Sequence, residues 1–200
     1  MVKQHRAVNI RDFLEKNKAT FMGEQKLHEW LQSFSCPPNP DVERFLKRNA
    51  VEFTKKDQSV TYLVLRNTDA ELVGYFSLAL KPVTIRADRI SKSMARKIAR
   101  VSALNEENET YTASAYLIAQ LGKNFAFSEE QRIDGTELLE IALDTISRAK
   151  YFLGGVIVFL ECEDNEALMN FYARNGFKYF DSRITSGDDC HKLNQLLKVV

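Results

Sequence analysis

The sequence predicts a single α/β (α+β) domain over residues 1–200, on three observations. Two apolar runs rich in β-branched and aromatic residues, Val60-Thr61-Tyr62-Leu63-Val64-Leu65 and Val156-Ile157-Val158-Phe159-Leu160, read as strands. Stripes at three- and four-residue spacing, such as Val42, Phe45, Leu46, Ala50 and Phe53, read as amphipathic helices. The two kinds of segment follow each other with no repeat, low-complexity tract or linker between them. With 200 residues, 44% of them apolar and 28% charged, and a net charge of +1, the chain can bury one sizeable core.

Composition also narrows the setting. No apolar run approaches the roughly 18 residues that span a bilayer. The basic start, Met1-Val2-Lys3-Gln4-His5-Arg6, is followed by charges, unlike a secretory signal. Cys36, Cys162 and Cys190 are an odd number without metal-like spacing, which fits free thiols in a reducing interior. The expectation is a cytoplasmic protein with no metal and no membrane partner.

Taken in order, residues 9–18 read as a short helix, with a first strand within 6–10 left open. Leu27, Trp30, Leu31 and Phe34 mark a helix over 24–34, and the lone Trp30 on its apolar face reads as core. Cys36-Pro37-Pro38-Asn39-Pro40 breaks that helix, and Asn39-Pro40 is a cap and first-turn pair for a helix over 40–54. Strand 60–65, the turn Asn67-Thr68-Asp69-Ala70 and strand 71–80 make an antiparallel hairpin. Gly74 inside it implies a bulge or a close backbone approach.

Residues 84–104 carry two helical stripes, Ile90, Met94, Ile98 and Val101 against Arg89, Lys92, Arg96 and Arg100. From Arg86 to Arg100 six bases face one acid, Asp88, a net of +5. Such a stripe suits nucleic-acid phosphates. It equally suits a solvated helix face beside Glu106, Glu107 and Glu109.

A buried strand follows over 113–122. A helix opening at Gln131-Arg132-Ile133-Asp134-Gly135-Thr136 then carries Leu138, Leu139, Ala142, Ile146 and Ala149 on one side. Strand, glycine-bearing loop and helix can hold a phosphate, because the first amides are unpaired and the helix dipole is positive there. An ordinary strand-to-helix turn reads the same way. The helix ends near Lys150, and Gly154-Gly155 leads into strand 156–162. Asp164 or Asn165 caps the next helix, whose face holds Leu168, Phe171 and Tyr172, and Asn175-Gly176 stops it. Strand 178–183, a turn at Ser186–Asp189 and a strand over 190–199 complete the chain.

The run Phe171-Tyr172-Ala173-Arg174-Asn175-Gly176-Phe177 resembles the closing motif of the GNAT N-acetyltransferase superfamily. The element order is similar to its acyltransferase fold, a central mixed, mostly antiparallel sheet splayed at the cofactor site and flanked by helices. The resemblance implies acetyl-CoA as cosubstrate and direct attack of a primary amine on the thioester in a ternary complex. Tyr172 would be the general acid for the leaving thiolate. Asn165 and Phe171 would contact the cofactor, and the amides of Leu121, Gly122 and Lys123 would bind it and stabilise the oxyanion. The loop Gln131, Arg132, Ile133, Asp134, Gly135 and Thr136 would take the pyrophosphate. There Gly135 matches the family's last loop position, Ile133 stands where its first glycine is expected, and Glu130 holds its Gln/Arg place. No base is assigned: Glu161, Glu163 and Gln120 are near in sequence, and a water can serve. Cys162, with no histidine near it in sequence, reads as inert. His28 and His191 carry no role.

Phe34-Ser35-Cys36, Asp41-Val42-Glu43-Arg44-Phe45-Leu46 with Ala50, Thr61-Tyr62-Leu63-Val64 and Gly74-Tyr75-Phe76-Ser77-Leu78-Ala79 look like a bacterial GNAT subgroup that includes toxins acetylating aminoacyl-tRNA. Where that subgroup often has Cys-Gly, this chain has Cys36-Pro37. Three readings follow: an acetyltransferase for a small or protein amine, a toxin acting on aminoacyl-tRNA, or a weakly active acetyl-CoA-binding module. The subgroup adds tRNA and an antitoxin protein as candidate partners, with Arg89, Lys92, Arg96 and Arg100 as the nucleic-acid contacts. Homodimers are common among such enzymes.

Overall fold

Several helices begin at a side chain that takes the place of a missing backbone partner. Asn39 accepts from the amides of Asp41 and Val42, Ser91 from Met94, and Asn165 from Ala167 and Leu168. The computed structural model describes residues 4–185 and 191–200. The first three residues, the expected turn over 186–189 and Cys190 lie outside the described residues.

The strands are β1 (His5–Asn9), β2 (Val60–Arg66), β3 (Leu72–Arg86), β4 (Leu104–Asn105), β5 (Thr110–Lys123), β6 (Ile157–Glu163), β7 (Lys178–Ile184) and β8 (Lys192–Val199). The α-helices are α1 (Glu24–Leu31), α2 (Pro40–Arg48), α3 (Ala50–Lys55), α4 (Lys92–Ile98), α5 (Gly135–Leu153) and α6 (Glu166–Arg174). Strand pairing is mixed and mostly antiparallel, with β5–β6 the parallel pair.

The chain resolves into two units, one of residues up to Ala79 with Ala119–Thr145, the other of Leu80–Ile118 with Ile146–Val200. β3, β5 and α5 run on from one into the other. In the first unit, alternation along β2 sends Leu63 and Leu65 to one side and Val64 to the other. Leu63 and Leu65 pack with Leu27, Leu31, Phe34, Val42 and Leu46 of the helical segment, and Val64 with Val73, Phe76, Ile133, Leu138 and Ala142. A buried strand with both sides covered is expected to be apolar, as β2 is from Tyr62 to Leu65. In the second unit Val83, Ile85, Ile98, Ala113, Phe159, Phe180 and Leu197 share a core.

The structure redraws several sequence boundaries. Residues 9–18 do not form an α-helix: β1 ends at Asn9, and a single 3-10 turn follows over Ile10–Phe13. The helix expected over 40–54 is interrupted at Asn49, which closes α2 and opens α3. β3 reaches Arg86, with Pro82 at an exposed position where its missing N–H costs little. The charged segment therefore gives up its first residues to a strand, and its α-helix covers only Lys92–Ile98. Ile90, Met94 and Ile98 pack as the stripe predicts, whereas Val101 is 45% exposed. Gly74 shows both expected features. Val64 pairs with Gly74 and Leu65 with Leu72, so Val73 bulges, and a Cβ on Gly74 would sit 3.2 Å from Leu138 Cδ1.

Candidate functional site

The candidate residues fall into two groups, one in each unit. In the first, Gly122 near the end of β5 is glycine for a packing reason. A Cβ there would approach Val42 Cγ1 to 2.5 Å and the Tyr75 ring to 3.1 Å. α2 thus lies directly on the strand backbone. The residue after the strand, Asn124, is 1% exposed and fully used. Its Nδ2 donates to the Leu72 carbonyl at 2.8 Å, and its Oδ1 accepts from Ser35 and Ala126, both at 3.0 Å. Nothing in the spacing of the sequence marks Asn124. It pins the loop after α1 to the strand end where Leu121, Gly122 and Lys123 lie.

The loop that follows is held from below. Ile133 is 2% exposed in the core with Phe76 and Leu138, which explains an isoleucine where a glycine was expected: the side chain anchors the loop. Above it, the Lys123 ammonium lies 5.7 Å and the Arg132 guanidinium 4.8 Å from the Phe125 ring centroid. Arg132 Nε also donates to the Phe127 carbonyl at 2.9 Å, while Gln131 Oε1 accepts from Ser128 and its carbonyl from Arg66.

α5 starts at Gly135, later than the expected opening at Gln131, and it carries its own anion. Asp134 Oδ1 accepts from the Thr136 amide at 2.7 Å and the Glu137 amide at 3.4 Å, and the Thr136 bond holds its carboxyl below the usual range. A bound phosphate would share this helix end with Asp134, next to Lys123 and Arg132. Deeper on the same helix, Glu137 Oε1 lies 2.7 Å from Nδ1 of the buried His5.

In the same unit an open cavity of about 380 Å³ is lined by Gln32, Cys36, Glu43, Arg44, Lys47 and Arg48. Glu43 accepts from the Cys36 amide at 2.7 Å and from Lys47 at 2.6 Å, and these bonds lower its pKa. Burial raises that of the Cys36 thiol.

The second group sits at the end of β6. Its parallel ladder with β5 consists of Tyr116–Val158, Leu117–Phe159 and Ile118–Leu160, after which β6 continues to Glu163 paired with β8. Of the two cap candidates, Asn165 is the one used, accepting from Ala167 at 2.9 Å and Leu168 at 3.2 Å. Asp164 instead accepts from Lys192 and Asn194. About two turns on from Asn165, Tyr172 is 9% exposed, with its ring 5.0 Å from Phe171 and 5.9 Å from Phe177. Burial, with a smaller contribution from Cys162, pushes its phenol well above the usual value. Gly176, at φ 84°, ends the helix, and Lys198 donates to the Asn175 carbonyl at 3.0 Å.

Among the three residues considered for a base, Glu161 is engaged by Arg183 at 2.7 and 2.6 Å and by Gln195 at 2.7 Å. Burial raises its pKa, but the two partners outweigh that and leave it lowered, so it is a weak proton acceptor. Glu163 is exposed, and Gln120 has no basic group. Cys162 is buried beside Met169, and burial raises its thiol pKa to about 11, which keeps it in the unreactive form at neutral pH. Arg89, Lys92, Arg96 and Arg100 are all exposed, and none of them forms a close ion pair among the described residues. No group of metal-binding side chains occurs among the described residues, and no helix there is long and apolar enough to cross a membrane.

The sequence matches no protein-family model and no curated protein. Solved structures do match. AtaT complexed with acetyl-methionyl-tRNAfMet is 19% identical at a TM-score of 0.59, over 82% of this chain and 85% of that one. A tyrosine-to-phenylalanine mutant of the toxin AtaT, bound to the C-terminus of the antitoxin AtaR and acetyl-CoA, is 17% identical at 0.59, over 98% and 94%. A tyrosine-to-phenylalanine mutant of KacT is 16% identical at 0.60, over 96% and 94%. The chain therefore has the GNAT acyltransferase fold of these proteins.

Proposed function

We propose that the protein is an acetyl-CoA-dependent N-acetyltransferase, moving an acetyl group to a primary amine by direct attack on the thioester. The observation that carries this reading is Tyr172, a phenol held protonated by burial on the helix that Asn165 caps. In the proposed reaction a neutral amine attacks the acetyl carbonyl, the tetrahedral intermediate collapses, and Tyr172 protonates the departing thiolate. The amides of Leu121, Gly122 and Lys123 bind the pantetheine and stabilise the oxyanion, and Lys123 and Arg132 balance the charge of the pyrophosphate. No acyl-enzyme on Cys162 is involved, since a thiol with a pKa of about 11 is a poor nucleophile.

The acceptor favoured is the amino acid of a charged tRNA. Four exposed cations on and beside α4, without a close ion pair among the described residues, supply phosphate contacts, as does Arg48 beside the α2 cavity. AtaT, of the same fold, is known in complex with an acetylated aminoacyl-tRNA and with an antitoxin, and a protein antitoxin is the proposed partner here. Ile133 in place of a loop glycine would favour the weakly active binding module, but its place in the core gives that residue a packing role instead.

Thiol release from acetyl-CoA, with aminoacyl-tRNA and simple amines as acceptors, tests the proposal. Tyr172→Phe should still bind acetyl-CoA while turnover falls about 10²–10⁴-fold. Full turnover in that variant removes Tyr172 from the chemistry. Binding without thiol release on any acceptor, in the unaltered protein, returns the chain to a binding module.

A further inference from the structure

Asn194, on β8 opposite Cys162 of β6, is 3% exposed, and its Oδ1 is the buried side-chain oxygen left without a hydrogen-bond partner among the described residues. Its amide cannot be turned over to relieve this. Nδ2 donates to Asp164 Oδ1 at 2.9 Å, and a flip would set Oδ1 against a carboxylate that only accepts. Asp164 is held ionised, its pKa lowered by hydrogen bonds from the Lys192 ammonium and from Asn194. Nδ2 also donates to Met169 Sδ at 3.5 Å, and that sulfur lies 3.8 Å from Cys162 Sγ. A leucine has the same branched shape without an orphaned acceptor. The orphaned oxygen is a cost that the bond from Nδ2 to Asp164 must offset, and that bond is the reason to look for in keeping asparagine here.

That reason lies one residue along. Asp164 precedes Asn165, whose Oδ1 is committed to capping α6 and whose Nδ2 makes no hydrogen bond among the described residues. We propose that Asn194 is a positioning residue for cofactor binding. By fixing Asp164 it sets the β6-to-α6 turn, so that Asn165 Nδ2 meets a carbonyl of the pantetheine arm of acetyl-CoA. This rests on the acetyltransferase reading. Tyr172, placed by its own contacts with Phe171 and Phe177, does not depend on the turn in the same way.

The test pairs stability with affinity, since a merely structural asparagine would move both together. Asn194→Leu should melt at the same temperature as the unaltered protein or higher, yet bind acetyl-CoA about five- to tenfold more weakly in calorimetry. Asp164→Ala, at an exposed position, should reproduce the loss of affinity, and the double variant should lose no more than either single one. Affinity unchanged in Asn194→Leu, or lost only in step with melting temperature, overturns the proposal. So do losses from the two single variants that simply add. If the unaltered protein itself fails to bind acetyl-CoA, the acetyltransferase reading falls and takes this role with it.

Discussion

The Tyr75 hydroxyl donates to the Val42 carbonyl at 2.6 Å, tying β3 to the first turn of α2 directly over Gly122. Burial raises the phenol's pKa well above the usual value, so the donor is present at any working pH. Tyr75→Phe would keep the T-shaped contact with Phe34 and leave the Val42 carbonyl with its helical bond alone. The expected cost is about 1–2 kcal/mol, read as a melting temperature lower by roughly 2–4 °C per kcal/mol. An unchanged melting curve would mean that the bond adds nothing net.

Gly122→Ala probes the same contact from the strand. The new methyl would overlap Val42 Cγ1, and overpacking of this kind typically costs about 1–3 kcal/mol. Adding Val42→Ala should recover part of that loss, because the two side chains compete for one space. Strictly additive losses, measured by urea unfolding, would show that α2 does not press on this position.

Glu161 sets a pH dependence. Its folded-state pKa is lowered, so the ionised form is favoured by folding. The resulting stability is fully present above the unfolded value of roughly 4.3 and is lost as pH falls through the folded-state value. Glu161→Gln should therefore be less stable than the unaltered protein near pH 7. The gap should close on acidification below about pH 4. A gap that is constant with pH would assign the loss to packing rather than to the Arg183 pair.

Replacing Arg89, Lys92, Arg96 and Arg100 with glutamine should weaken aminoacyl-tRNA binding. It should also flatten the salt dependence of that binding, by roughly 0.7–0.9 in log–log slope for each phosphate left without its cation. Fold and acetyl-CoA affinity should be unaffected, since all four side chains point into solvent. The same slope in both proteins would retire the stripe as a tRNA-binding surface.

Most elements were legible because period and punctuation agree. β2 and β6 announce themselves as β-branched runs, and Asn165 and Gly176 bracket α6 at the two ends of its apolar face. The failures share a cause: tertiary packing overrode local signals. Pro82 looks like a stop, yet the strand continues through it to bury Val83 and Ile85. The stripe through Val42 and Phe53 crosses Asn49 without a sign that the helix bends there. Within the candidate site, Tyr172 and the α5 loop could be picked out by their neighbours in sequence. Asn124 and Asn194 could not, because each works through partners tens of residues away: Asn124 through Ser35 and Leu72, Asn194 through Asp164. A buried asparagine leaves no period in a sequence.

Ile133 has one more implication. A loop whose shape is set by a side chain inserted beneath it needs no flexible residue to reach that shape, so its outward positions are released from a conformational duty. Gln131 and Thr136 can then vary with the charge and reach of the anion in the proposed function, while the floor stays put. Divergence at this face would change ligand preference without first passing through an unfolded intermediate sequence.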